Sequence, residues 1–159
     1  MKLKLFLISI IALLALVAYQ KYVDTNTLKL INSWSTYVSP KHPFQLNYPS
    51  EMSISVDTDG QIIFKNIDTF FTVTIWESTD QVQTVNNVRA QTEGHLLVNP
   101  PVITNLMVDG NETWRLDYTS QSNDLFFSDV IIFHNQKAYI LEAKTKMIDQ
   151  ILSTFHFLD

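Results

Sequence analysis

Val102-Ile-Thr-Asn-Leu-Met-Val108, then Asp109-Gly110-Asn111, then Thr113-Trp-Arg-Leu-Asp-Tyr-Thr119 reads as two strands joined by a tight turn. Asp-Gly between two β-prone runs is a strong hairpin signal, because tight two-residue turns need φ > 0. In the second run Trp114, Leu116 and Tyr118 alternate with Arg115 and Asp117. One face is apolar and the other polar, which is typical of antiparallel strands.

The same pattern continues on both sides. Asp124 to Phe133 and Lys137 to Ala143 read as a second hairpin around His134-Asn-Gln136. Beyond it Met147, Ile148, Ile151, Leu152 and Phe155 fall on one face of a closing helix. Upstream, Asp80 with Gln83 resembles a capping box that opens a helix running to Glu93. Val82, Val85 and Val88 give that helix an apolar stripe, Gly94 can end it, and Pro100-Pro101 stops any continuation. Earlier still, Phe71, Val73 and Ile75 alternate with Thr72, Thr74 and Trp76. Ile62 to Lys65 reads as a strand, as do Met52, Ile54 and Val56, which lead into the turn Asp57-Thr-Asp-Gly60. Phe44, Leu46 and Tyr48 make a strand ended by Pro49. Strands, helix, strands, helix implies an α+β domain, a mainly antiparallel sheet covered by helices.

Composition bounds the function. The 159 residues are 46% hydrophobic, enough for one domain to close its own core. With 12% aromatic and 17% charged residues the chain is not dominantly disordered, and 3 Gly and 5 Pro exclude collagen-like and linker compositions. The absence of Cys removes disulfide scaffolds, thiolate metal sites and cysteine nucleophiles. A net charge of −5 argues against a general nucleic-acid binder, which needs a basic footprint.

Lys2 and Lys4 precede a run from Leu5 to Tyr19 in which only Ser9 is polar. The run fits a secretory apolar core and is slightly short for a spanning helix, although Lys4 can snorkel and Tyr19 and Tyr22 suit an interface. Ala12, Ala15 and Ala18 form no A-x-A pair, so residues 1–22 are expected to be an N-terminal apolar helix acting as an uncleaved signal-anchor. A cleaved signal peptide, giving a secreted protein, is the alternative. The basic start holds the N-terminus in the cytoplasm and puts the rest outside a cell membrane crossed once. Residues 23–33 are a connector and 34–159 the domain. Without Lys2 and Lys4, nine basic side chains face 16 acidic ones, a charge of −7 that keeps the domain off an anionic bilayer.

At the ends of the domain the residues carry a resemblance. Trp34-Ser-Thr-Tyr37 and Phe44-Gln-Leu46-Asn-Tyr48-Pro49 are similar to the opening of PsbP-like domains, and Ile151-Leu-Ser-Thr-Phe155-His-Phe157 to their ending. Met52 departs from the family, where an aromatic commonly follows the Tyr-Pro. The resemblance covers residues 34 to 158 in layout, with its specific words confined to about twenty positions. It implies an α/β/α arrangement that an aromatic-rich first hairpin opens, a fold shared with a nuclear Ran-binding protein. Many bacterial members are exported or membrane-anchored. What transfers is fold and not activity.

Sites of chemistry are sparse. His42, His95, His134 and His156 show no zinc-type spacing, and exposed or locally bonded roles are expected for them. No G-x-S-x-G elbow or Gly-rich phosphate loop exists. Asp57, Asp59 and Gly60 echo an acidic calcium loop but lack its closing Glu, so they read as a turn. Asn111-Glu-Thr113 matches a glycosylation sequon, which matters only in a eukaryotic secretory route. If the strands pair in order, Arg115, Asp117, Asp129 and Glu142 could cluster across the sheet, either as an acid–base site or as cross-strand ion pairs. The ion pairs are preferred. No catalytic, cofactor-binding or metal residue and no cofactor are therefore assigned. The expected function is a non-catalytic extracytoplasmic interaction module with an envelope protein partner, a membrane contact through its N-terminal helix and no nucleic acid. A small hydrolase, lyase or small-ligand binder using the carboxylates is the alternative.

Overall fold

The computed structural model describes residues 33–94, 99–120 and 126–158. The expected N-terminal helix, nearly all of the connector, His95 and Asp124 lie outside them. The chain divides after Trp34, and the second unit, Ser35–Asp159, carries the fold.

Strands β1 (Trp34–Val38), β2 (Phe44–Pro49), β3 (Ser53–Val56), β4 (Ile62–Lys65) and β5 (Phe70–Glu77) precede helix α1 (Gln81–Gly94). After it come β6 (Val102–Val108), β7 (Asn111–Thr119), β8 (Phe126–His134), β9 (Lys137–Lys144), helix α2 (Thr145–Leu152) and β10 (His156–Phe157). Seven strands form one antiparallel sheet in the order β3-β4-β5-β9-β8-β7-β6, and β1, β2 and β10 form a small second sheet. The domain is α+β, with mostly antiparallel strands and two helices among the described residues.

Turn chemistry sets the central hairpins. Asp109 (φ 48°) and Gly110 (φ 75°) join β6 to β7 below the pair Val108–Asn111. Asn135 (φ 48°) and Gln136 (φ 60°) join β8 to β9 below His134–Lys137. Positive φ at both turn positions matches the right-handed twist of the flanking strands.

Strand alternation then assigns the two faces. Phe71, Val73, Val130, Ile132, Tyr139 and Leu141 pack with Phe44 and Leu46 of β2, with Ile148 and Ile151 of α2, and with Phe155. Phe44 stacks on Phe155 at 5.4 Å between ring centroids, and Phe64 on Phe71 at 4.2 Å. Leu116, Ile131, Phe133, Ala138 and Ile140 point the other way, against Val85 and Val88 of α1. Asp80 accepts the Gln83 N–H at 3.0 Å, the side-chain half of the expected cap.

Four details differ from the sequence reading. The first hairpin does not open the main sheet, because β2 pairs with β10 and its aromatics cover the large sheet from above. Phe155 is not on the closing helix: α2 ends at Leu152, and a turn carries Phe155 into the core. Val82 is exposed, since the buried stripe of α1 runs through Thr84, Val85, Val88 and Thr92. Ile54 and Val56 are exposed as well, because β3 is an edge strand.

Candidate functional site

The proposed four-residue cluster splits between the faces. Asp117 sits opposite Ser128, and Asp129 sits opposite Leu116. Neighbouring ladder positions point to opposite sides of a sheet, so Asp117 and Asp129 cannot meet. On the α2 side, Arg115 reaches Asp117 at 2.8 Å, Asp149 of α2, and the Ser128 hydroxyl at 3.3 Å. The Ser128 hydroxyl also donates to Asp117. Burial opposes the Arg115 charge, but Asp117 and Asp149 outweigh it and hold the guanidinium above its usual value. Asp149 had no marker in the sequence, since the pairing is long-range.

On the α1 side, Asp129 faces Glu142 directly across β8 and β9. The Tyr118 hydroxyl donates to Asp129 Oδ1 at 3.2 Å, and the Thr92 hydroxyl lies 2.6 Å from Oδ2. Thr92 also reaches the Val88 carbonyl at 2.9 Å. The Thr92 hydroxyl is placed to donate to the Asp129 carboxylate or to the Val88 carbonyl, and when Asp129 is protonated on Oδ2 its O–H can donate to Thr92 while Thr92 donates to Val88. Burial, with the Glu142 charge adding to it, raises the Asp129 pKa to about 7 against the pull of its Thr92 and Tyr118 hydrogen bonds. Burial and the Asp129 charge push the Tyr118 phenol far above its ordinary range. These groups border a cavity of about 90 Å3, which Gln61, Thr74 and Gln91 also line. That volume holds about three waters, against the roughly 300–1,000 Å3 of small-molecule sites. The cluster works as a polar bolt that fastens α1, which brings only two valines to its sheet contact.

The remaining candidates, His42 apart, are engaged locally. Asp57 accepts the N–H groups of Asp59 and Gln61 at 3.0 and 2.9 Å, which makes its loop a capped turn. His134 stacks on Phe157 and bonds Asn111 of the sequon at 2.9 Å. His156 meets Asp109 at 3.2 Å, and Asp109 also accepts the Phe157 N–H at 2.8 Å, so the β6–β7 turn holds β10. Phe157 first, then His156, draws the Asp109 pKa down. His42, between β1 and β2, departs from the expected exposed or locally bonded role: its Nδ1 is buried without a hydrogen-bond partner among the described residues, and its pKa is lowered, chiefly by burial. Among the described residues, no group of three His, Asp or Glu side chains is arranged to hold a metal ion.

The sheet edges were not singled out in the sequence, although their strands were. β3 has four residues and ends in the acidic turn after Val56. β6 has seven residues, Val102 to Val108, with no charge, Gly or Pro among them. Among the described residues nothing pairs with its outer side. In a hairpin closed by a two-residue turn, the pair Val108–Asn111 exchanges both hydrogen bonds. Alternation along the strand then aims the N–H and C=O of Ile103, Asn105 and Met107 outward. Val102 is 63% exposed and Met107 65%. Beside the strand lies an open groove of about 360 Å3, floored by Leu106, Val108, Leu152 and Phe155 and rimmed by Arg115, Asp109 and His156.

An antiparallel seven-stranded sheet carries one helix on one face and a helix plus a small aromatic sheet on the other, and its match to a solved PsbP structure makes this a PsbP-like fold. The solution structure of cyanobacterial PsbP (CyanoP) from Synechocystis sp. PCC 6803 matches with a TM-score of 0.59 and 16% identity, over 79% of this chain and 92% of that one. A crystal structure from Bacteroides thetaiotaomicron VPI-5482 matches with a TM-score of 0.52 and 12% identity, over 78% of this chain and 48% of that one. This chain therefore spans about half of the Bacteroides protein. No family model matches the sequence. No curated protein matches it either. At these identities the shared property is the fold.

Proposed function

We propose that the chain is a non-catalytic interaction module working outside the cell membrane, anchored there by the segment around Leu5 to Tyr19, and that it offers the β6 edge to its partner. The observation that carries this reading is the length and neutrality of β6. Soluble proteins blunt exposed edges with charge, proline or short strands, and an unblunted edge is a template for strand addition. Among the described residues no helix is long and apolar enough to cross a membrane, and the segment around Leu5 lies outside them. The carboxylate reading draws on Asp129, and the small volume of its cavity weighs against it.

The test is photo-crosslinking of the full chain in cells. A crosslinker at Met107 is expected to trap a discrete adduct that one at Ser55, on the opposite edge, does not. Asn105→Pro removes an outward N–H and is tolerated on an edge, so it is expected to abolish the adduct without unfolding the chain. Equal trapping from both edges, or trapping that survives the proline, would overturn the reading. Recovery of peptides from upstream of Tyr19 in the same sample would show the anchor retained.

A further inference from the structure

Resting on that reading, we propose that the occupant of the β6 edge is a second copy of this chain, its own β6 paired antiparallel across a two-fold axis through Asn105. The strand is partly symmetric about Asn105: Val102 matches Val108 and Ile103 matches the similarly apolar Met107, with Thr104 and Leu106 the unlike pair. Antiparallel pairing about that centre sets Ile103 opposite the partner copy's Met107, Val102 opposite its Val108, and Thr104 opposite its Leu106. Each match keeps odd positions with odd and even with even, so the two sheets continue with their faces aligned.

The hydrogen-bonding groups agree with the same centre. Ile103, Asn105 and Met107 are the residues whose backbone groups point outward, and the two-fold pairs Asn105 with itself and Ile103 with Met107. The two exposed apolar side chains of the strand, Val102 and Met107, both land opposite an apolar residue. Charge does not bar this occupant. The chain is acidic at −5, and two like-charged copies can approach through a strand that carries no charge. An isologous contact also closes on itself, which protects an otherwise open edge from endless association. A strand-edge contact is at the small end of specific interfaces, so pairing is expected to depend on concentration and to gain when both copies are held in one membrane.

The chain has no Cys, so single cysteines report the register directly. In native membranes under mild oxidation, full-length Asn105→Cys is expected to form a disulfide dimer. Hydrogen-bonded antiparallel partners lie about 5.5 Å apart at Cα, within disulfide reach. Met107→Cys alone is expected to stay monomeric, since the two copies of position 107 sit about 14 Å apart along the strands. Co-expressed with Ile103→Cys it is expected to form the mixed dimer. Ser55→Cys, on the other edge, should dimerise about tenfold less or lower, because unpaired thiols lack the high effective concentration of a paired site. Dimers of Met107→Cys as abundant as those of Asn105→Cys would overturn the two-fold register. An Asn105→Cys chain that stays monomeric, while the Met107 photo-adduct persists at another mass, would sink the self-pairing and leave the interaction module standing. Loss of both signals would sink both.

Discussion

The two faces of the large sheet each hold an aspartate from the centre of the domain, and the two live in opposite environments. Asp117 shares Arg115 with Asp149 and is partly open to water. Asp129 is buried, has no cation among its hydrogen-bond partners in the described residues, and is held by two hydroxyls beside a second carboxylate. The faces are covered just as differently. An aromatic core seals the α2 side, whereas α1 docks through Val85, Val88 and two buried threonines. One face is fastened by a large aromatic core, and the other by a smaller apolar cluster with the Thr92–Asp129 contact added. Their responses to mutation and to pH should therefore diverge.

The largest difference is expected in packing. Phe44 is fully buried between Phe155 and Tyr139. Phe44→Ala should cost roughly 3–5 kcal/mol, and Val85→Ala on the α1 side roughly 2, from the methyl groups removed and the space left. Denaturant melts of the two variants would measure this. Equal losses would mean that α1 is packed as tightly as the aromatic side.

The second prediction concerns pH. The folded-state pKa of Asp129 is raised from 3.8 to about 7. A raised carboxyl pKa contributes stability that is complete below about pH 4 and is lost as pH rises through about 7. The loss is bounded at about 4 kcal/mol by the size of the shift. Asn at this position imitates the protonated acid, with an N–H for Thr92 and an oxygen for the Tyr118 hydroxyl. Asp129→Asn is therefore expected to remove most of the stability loss between pH 5 and pH 8. Parallel stability profiles for the two chains would show that Asp129 is ionised throughout and that the α1 bolt is not a protonated one.

How much of this contrast could be read in the sequence follows from what sequence encodes. Period-two alternation placed Arg115 with Asp117 on one side of β7, and the same period along β8 puts Asp129 on the side of Ile131 and Phe133. Each assignment holds within its own strand. Which sides of the two strands coincide depends on register, and register depends on the connection between Thr119 and Phe126, where no turn motif is written. A shift of one residue exchanges the faces, and the expected four-membered cluster rested on such an exchange. The hairpins with Asp-Gly and Asn-Gln turns were legible because the turn residues sit in the sequence itself. The pairing of β10 with β2 was not, since two residues carry no period and their partner is distant in the chain. Thr92 escaped notice for a related reason: a threonine on a helix announces a buried hydrogen bond only when its acceptor is known.

The smallest effect is expected at the exposed end of the α2-side network. Asp149 is 58% exposed at its side chain, and Arg115 keeps Asp117 and Ser128 when Asp149 is removed. Asp149→Ala should cost only about 0.2–1 kcal/mol, as solvent-exposed ion pairs do. The cost should shrink further in 1 M salt, where the Debye length is about 3 Å. Asp129→Asn should respond little to the same salt, because its partners are buried hydroxyls and not a solvated charge. If Asp149→Ala instead destabilises by more than about 2 kcal/mol at any salt, Asp149 acts as a cap or packing element of α2, since no exposed pair reaches that size. The distinction between a screened ion pair on one face and a buried hydroxyl–carboxylate cluster on the other would then have to be redrawn around the helix.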